Sequence, residues 1–557
     1  MFLQKRYTCL QDRAVGLSAC LGFIIYKEET DMRKTLALIL SLMLMLLSLG
    51  SVASADAVAN PDAIIYLTTT ADPTHLDPAL CSDGQSTIVT GLVYSALIGY
   101  NKDGSIYCDV AESYDVSEDG LTYTFHIRDG IKFHDGTACD AYAVEWNWNR
   151  VSPANATPDM TYSSILFGNV ASFEATDALT FVVTLKQKDS TFLTLQGSNS
   201  LAAGLVSPTA YEANPEGFDR NPVGCGPYKF VEWASGQYVQ LTRNDEYYGG
   251  QVENGGVIVR IIPESGTAVS EMMTGGVDVM DGLAADQVDL LKGASNVNIM
   301  NVPGKNLSIL SFADFDKNPL FSDIRLRQAV CYALDMDSIN AALYGDAMEN
   351  AKSAIPTVMQ AGDRDDYVTI GYDIEKAKEL MTEAGYPDGF EFTLLTYNVN
   401  KSYNPAGEQL AVQIQAELAK VGITVNIQIL PWAEFSKKMY TDPVEGYDVL
   451  LHGWGADYND TSNILFLFSE EEIGGGANHS GYADPTYNEY FDAALTSSSY
   501  EEAGEYYFKA AQKLNEDVPV YILGHCREHV ASTTAILNAD EVLGGWGNHY
   551  WQTKKAG

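Results

Sequence analysis

From Asp373 onward the spacing of apolar residues alternates between two periods. Helical spacing in DIEKAKELMTEAG gives way to the strand-like FEFTLLTY, then helix EQLAVQIQAELAKVG, strand ITVNIQIL, helix WAEFSKKMY and strand YDVLLHGW. In the second of these helices Leu410, Ile414 and Leu418 fall on one face. Gly385 and Gly422 stand where helix C-caps belong. Strands alternating with helices imply crossover units and a largely parallel sheet, and ligands of such sheets bind beyond the carboxyl ends of the strands.

Upstream of Pro303 the pattern is different, mixed and dominated by strands. Strands are predicted from Ala63 to Thr70, Phe181 to Leu185, along YKFVEW and VQLTRN, and at Val257 to Ile262 and Val277 to Met280. Helices are predicted from Ile88 to Ile98, with a turn at Asn101 to Gly104, and from Asp140 to Val151. In LTYTFHI (121–127) Leu121, Tyr123, Phe125 and Ile127 alternate with polar residues, and Asp129-Gly130 follows. That combination predicts a hairpin returning along IKFHDG. After Pro303, Ser322-Asp323 caps a helix through IRLRQAVCYALDMD.

The length, 557 residues, exceeds what one core organises, so two or three domains are expected. With 34 basic against 74 acidic side chains the formal net charge is -40, which excludes nucleic acid and anionic membrane as natural partners. Met32-Arg33-Lys34, the apolar LALILSLMLMLLSLG and Ala53-Ser54-Ala55 read as an export signal over 32–55, with 1–31 an overextended leader and Asp56 the first mature residue. A lipoprotein reading at Leu17 to Cys20 is disfavoured because Asp12 and Arg13 interrupt its apolar region. Six cysteines (81, 108, 139, 225, 331, 526) follow the signal without C-x-x-C spacing, so zinc ribbons and thioredoxin-type sites are not suggested. Export permits disulfides; the spacing fixes no pairing, and buried free thiols are the favoured expectation.

The chemistry concentrates in LLHGWGADYNDTSNILFLF, Leu450 to Phe468. A strand ends in a Gly-Trp-Gly turn and delivers Asp457, Tyr458, Asn459 and Asp460. Trp454 and Tyr458 offer rigid contact surface with a polar edge, and a carboxylate between them needs a cation or hydrogen-bond donors. A cationic small ligand meets that need; a Lys or Arg of the fold would meet it equally. His525-Cys526-Arg527-Glu528-His529 fits the H-x-x-E-H of zinc peptidases, but its flanks VPVYILG and VASTT are strand-like, and that chemistry needs one helical face. His126, His134 and His452 lack ligand spacing. Asp457 with Asp460 suits holding a cation better than acid/base work. Nothing calls for a cofactor or a metal.

Five blocks, AESYDVSEDGLTYTFHIRDGIKFHDGT (111–137), NPVGCGPYKFVEW, IRLRQAVCYALDMDSI, KAKELMTEAGYPDGF and GWGADYND, stand in the order of one known family. Together they resemble the extracellular solute-binding proteins of peptide and nickel ABC importers. The resemblance implies an α/β, two-lobed periplasmic-binding-protein-like fold with a hinge and a small extra domain inserted in the first lobe. Lobe I would be 56–103, 222–304 and 520–557, the inserted domain 104–221 and lobe II 305–519. It implies a monomeric, non-catalytic importer subunit at the periplasm or outer cell surface, delivering a short peptide or other cationic small molecule to membrane permease subunits. Nickel chelates, opines or sugars are alternative cargoes on the same fold, and a metallopeptidase using His525 and His529 is the alternative of another class. By resemblance Asp457 pairs with the ligand's α-ammonium, Trp454 and Trp432 wall side-chain pockets, and Ser82, Asp83 and Gly84 pair with the ligand main chain. Peptide-binding relatives carry basic residues before the Gly-Trp turn for a ligand carboxylate; here Leu450, Leu451 and His452 stand there, and Lys437 and Lys438 read as a solvated helix face.

Overall fold

Seven strands that the sequence scatters over the chain come together in one sheet, in the order Val297–Val302, Glu528–Thr533, Val279–Met280, Ile64–Thr69, Gly256–Ile261, Tyr238–Arg243 and Tyr228–Ala234. The computed structural model describes residues 58–557 apart from 198–202, 442–443, 475, 498 and 547–548. The export signal, the overextended leader and the lipoprotein motif therefore lie outside the described residues. Among the described residues no helix is long and apolar enough to cross a membrane.

A second sheet of six strands runs Met348–Glu349, Val520–Cys526, Asn306–Phe312, Val449–Gly455, Glu391–Tyr397 and Thr424–Leu430. The alternating helices and strands after Asp373 build its far half, where Glu391–Tyr397 pairs in parallel with both neighbours. Leu410, Ile414 and Leu418 on helix Gly407–Ala419 are each fully buried against it, roughly 1.5–3 kcal/mol apiece for side chains of this size. The near half corrects the expectation of a largely parallel sheet. Asn306–Phe312 runs antiparallel to Val449–Gly455 and to Val520–Cys526; it enters directly from the first sheet, and Val520–Cys526 leaves directly for it, with no crossover helix at either passage.

A four-stranded antiparallel sheet, Ala111–Val116, Thr122–Ile127, Thr180–Leu185 and Val170–Asp177, carries its own core with helix Ala141–Val151. Tyr123, Phe125 and Ile127 face inward as their alternation demands. The hairpin partner of Thr122–Ile127 is the strand before it, not IKFHDG. The Ser117 to Gly120 turn is closed by Asp119, whose carboxylate accepts from the Ser117 hydroxyl and the Leu121 N–H, whereas Phe133 to Thr137 closes on itself. The helix expected over Ile88 to Ile98 begins earlier, at Gly84–Val93, because Asp83 caps it by accepting from the Ser86 N–H. Arg150 of helix Ala141–Val151 reaches back to Asp77 with two hydrogen bonds of 2.7 and 2.9 Å. The C-terminal tail is anchored to the seven-stranded sheet by Lys555, which pairs with the buried Asp278 at 2.6 Å.

The chain passes between the two large sheets twice. The first passage, Pro303 to Lys305, links Val297–Val302 to Asn306–Phe312; the second is Arg527, between Val520–Cys526 and Glu528–Thr533. Strand Val520–Cys526 thus belongs to the six-stranded sheet, which places the second passage beyond the 519 expected from the resemblance. The passages lie side by side: a Cβ on Gly304 would stand 1.8 Å from the Cys526 carbonyl oxygen. The Asn306 amide donates to that carbonyl and accepts from the Cys526 N–H, each at 2.9 Å. His525 and His529 fall on two strands in different sheets, with His525 Nδ1 2.8 Å from the Asn306 carbonyl. All six described cysteines are free thiols, five of them buried.

Candidate functional site

Asp457 stands just past the end of strand Val449–Gly455. Gly453, Trp454 and Gly455 are not a turn, as the Gly-Trp-Gly reading has them, but the last residues of that strand, paired with Ser308, Leu307 and Asn306. Gly453 is required there, since a Cβ would meet the Leu307 carbonyl and the Tyr403 ring at 2.4 Å each. The chain turns at Ala456, whose N–H donates to the Lys305 carbonyl at 2.7 Å. The Asn463 side chain then accepts from the Asp457 N–H at 2.8 Å, which fixes the backbone there, and Asp457 is exposed.

Asp457 lines a cavity of about 460 Å³ between the two large sheets. Ser82, Asp83 and Gly84, with Thr87 and Tyr100, line it from the first-lobe side, Tyr162 from the smaller domain, and Tyr458 beside Asp457. Five of the seven residues expected at the site are thereby brought together. Among the described residues no side chain donates to the Asp457 carboxylate, and enclosure by protein raises its pKa above the ordinary carboxylate value. The cation of this lining, Lys305, is turned elsewhere: its Nζ donates to the Gly545 carbonyl at 3.3 Å and lies 4.5 Å from the Trp546 ring centre.

The neighbours of Asp457 have distinct duties. Burial pushes the Asp83 carboxyl up, but hydrogen bonds from Thr74 and Ser86 outweigh it and hold the group below its ordinary value; its charge is committed to the helix cap. Ser82 and Gly84 are exposed in the cleft. Tyr458 packs on the core of the smaller domain. Asp460 is buried, accepting from the Tyr507 hydroxyl and the Ser462 N–H at 2.8 Å each, so it braces the loop rather than facing the cavity with Asp457.

The two tryptophans stand apart from this cavity's lining. Trp454 is half-buried with its ring edge-on to Phe466 at 5.5 Å. Trp432, at the start of helix Trp432–Met439, stacks on Phe435 and holds Lys401 Nζ 3.5 Å from its ring centre. Leu450 and Leu451 are sheet core, and His452 is buried, bonded to Ser311 at 2.7 Å and kept neutral by burial, beside His479.

Sequence reasoning missed the floor of the cleft. A second cavity of about 920 Å³ shares Tyr107, Asp109, Tyr247, Lys305 and Trp546 with the first. Asp109 accepts from the Tyr248 hydroxyl at 2.5 Å, and burial pushes its pKa up to about 6 despite that bond. The unfolded value is about 3.9, so between pH ~4 and ~6 the folded chain holds a proton that the unfolded chain releases. Stability should therefore fall as pH rises through that window. Thermal melts across it are expected to show a steeper decline for the parent than for Asp109→Asn; parallel curves would deny Asp109 this titration.

Residues 105–475 match the family described as bacterial extracellular solute-binding proteins, family 5. The chain belongs to this family. These are non-catalytic binding proteins of ABC transporters, and this solute-binding protein is 28% identical to the dipeptide-binding protein of Escherichia coli over 478 residues, 81% of this chain and 87% of that one. It is 27% identical to heme-binding protein A of Haemophilus influenzae over 501 residues, 85% and 89% of the two chains. Among solved structures, the periplasmic binding protein DppA of Helicobacter pylori in complex with the peptide STSA superposes with a TM-score of 0.70 at 26% identity, covering 91% of this chain and all of that one. The two-lobed architecture is the one these proteins share.

Proposed function

We propose that this protein captures a short peptide by its free ammonium end and delivers it to the membrane permease subunits of an ABC importer. The observation that carries this reading is Asp457, which lines the cleft with no counter-charge paired to it among the described residues. A desolvated anion of this kind is stabilised by a ligand cation. In this proposal the exposed backbone at Ser82 and Gly84 pairs with the ligand main chain, and the tyrosines around Asp457 contribute flat surface that discriminates little among side chains. Trp454 and Trp432, each with part of its ring accessible, serve ligand side chains beyond this cavity. The lobes close about the two passages at Gly304 and Arg527, with lobe I, lobe II and an inserted domain near 104–221 as the moving parts. Two relatives with peptide in their names support the choice of cargo; the heme-binding relative names the alternative that the test must include.

Titration calorimetry with di- and tripeptides, their N-acetylated forms, glutathione and heme tests it. Free-ammonium peptides are expected to bind, and N-acetylation to weaken them at least about 30-fold, the loss of one enclosed charge pair. Equal affinity for acetylated and free peptides, or binding of heme alone, would overturn the proposal.

A further inference from the structure

Two thiols lie against each other at the junction between the smaller domain and the seven-stranded sheet. Cys139 and Cys225 have their Sγ atoms 3.9 Å apart, and the two residues are 1% and 0% exposed. Cys139 sits just before the cap of helix Ala141–Val151, and Cys225 just before strand Tyr228–Ala234. The segments that carry them are clamped together. The His134 N–H donates to the Gly224 carbonyl at 2.8 Å, His134 Nε2 lies 3.0 Å from the Gly226 carbonyl, and the Cys139 N–H donates to the Ile131 carbonyl at 2.9 Å. Both cysteines belong to one apolar cluster, that of the four-stranded sheet.

We propose that Cys139 and Cys225 are a disulfide site that closes the smaller domain onto the first lobe. A bond of about 2.05 Å needs the sulfurs to approach by a further ~1.9 Å, within reach of modest side-chain rotation on two backbones already held in register. Among the described residues the remaining thiols offer nothing comparable: Cys81 Sγ, for example, donates to the Asp77 carbonyl at 3.1 Å. An extracellular family member works where such bonds persist. The oxidant is an external disulfide. One thiolate attacks it, forming a mixed disulfide and releasing one external thiol; the second cysteine thiolate displaces the other, so two protons leave the cysteines and two electrons reduce the external disulfide. Because both sulfurs are enclosed in the folded chain, the exchange belongs to folding, before the cluster closes.

The test refolds the full chain with oxidised glutathione or with dithiothreitol, followed by alkylation in denaturant and peptide mapping without reduction. The expected result is a Cys139–Cys225 cross-linked peptide, about 2 Da below the sum of its reduced parts, with Cys81, Cys108, Cys331 and Cys526 alkylated. The oxidised protein is expected to melt roughly 3–8 °C above the reduced one. Cys139→Ala should lose both the cross-link and the difference in melting, while Cys81→Ala keeps both. Cys139 and Cys225 both alkylated after oxidative refolding, either of them bonded to another cysteine, or a glutathione adduct left on Cys139 or Cys225 would overturn the assignment, and the parent map decides this even if a variant fails to fold.

Discussion

Asp457→Asn is expected to weaken binding of a free-ammonium peptide roughly 30- to 5,000-fold, the 2–5 kcal/mol lost when one partner of an enclosed charge pair is removed. The unliganded protein should not suffer, because the carboxylate accepts no hydrogen bond from the described residues and is already held above its ordinary pKa by enclosure. Removing a desolvated, unpaired charge leaves the melting temperature unchanged or higher. Few binding residues separate affinity from stability so cleanly. The pH dependence has a definite sign as well: the ammonium needs the ionised form, so affinity is full at neutral pH and falls as pH drops through the raised pKa of Asp457. In Asp457→Asn that slope should disappear. Calorimetry at several pH values checks both, and an affinity indifferent to the substitution would remove the ammonium role.

Arg150→Ala should be the most destabilising single change near the cleft. Arg150 and Asp77 are 8% and 5% exposed, bonded through both terminal guanidinium nitrogens and both carboxylate oxygens. Asp77 also accepts from the Ala79 N–H, closing the short helix that precedes Ser82. Truncating the arginine leaves a buried carboxylate without its cation, about 3–5 kcal/mol. The double variant Asp77→Asn, Arg150→Met should recover much of that loss, because an uncharged pair needs no mutual compensation. Calorimetric unfolding of the three variants checks this. A melting temperature in Arg150→Ala equal to the parent's would mean the pair behaves like a solvated surface bridge.

The part of the fold most legible in the sequence is the run after Asp373, where each helix and strand carries its own periodicity and Leu410, Ile414 and Leu418 announce a buried face. Local signals failed where two candidates competed for one partner. Thr122–Ile127 could pair backward or forward, and the Asp119 turn decided it. Apolar spacing that continues to Ile98 points to a later helix than Gly84–Val93, while the cap at Asp83 and the end of the helix at Tyr94 are polar and tertiary effects. At the site, Asp457 and Tyr458 stood out because unusual residues cluster within one loop. Asp109, Tyr247, Lys305 and Trp546 come from distant stretches and meet only when two sheets face each other. No spacing rule connects them.

The two passages between the sheets, pressed together at Gly304 and cross-bonded by the Asn306 amide, restrict how the halves of the molecule can travel. Both bonded residues belong to the six-stranded sheet, so the two passages leave that sheet as one paired strip whose segments flex together. In the closure proposed above, that strip would be the spine of a book, with Lys305, next to it, shifting little while residues at the outer margins sweep the longest arcs.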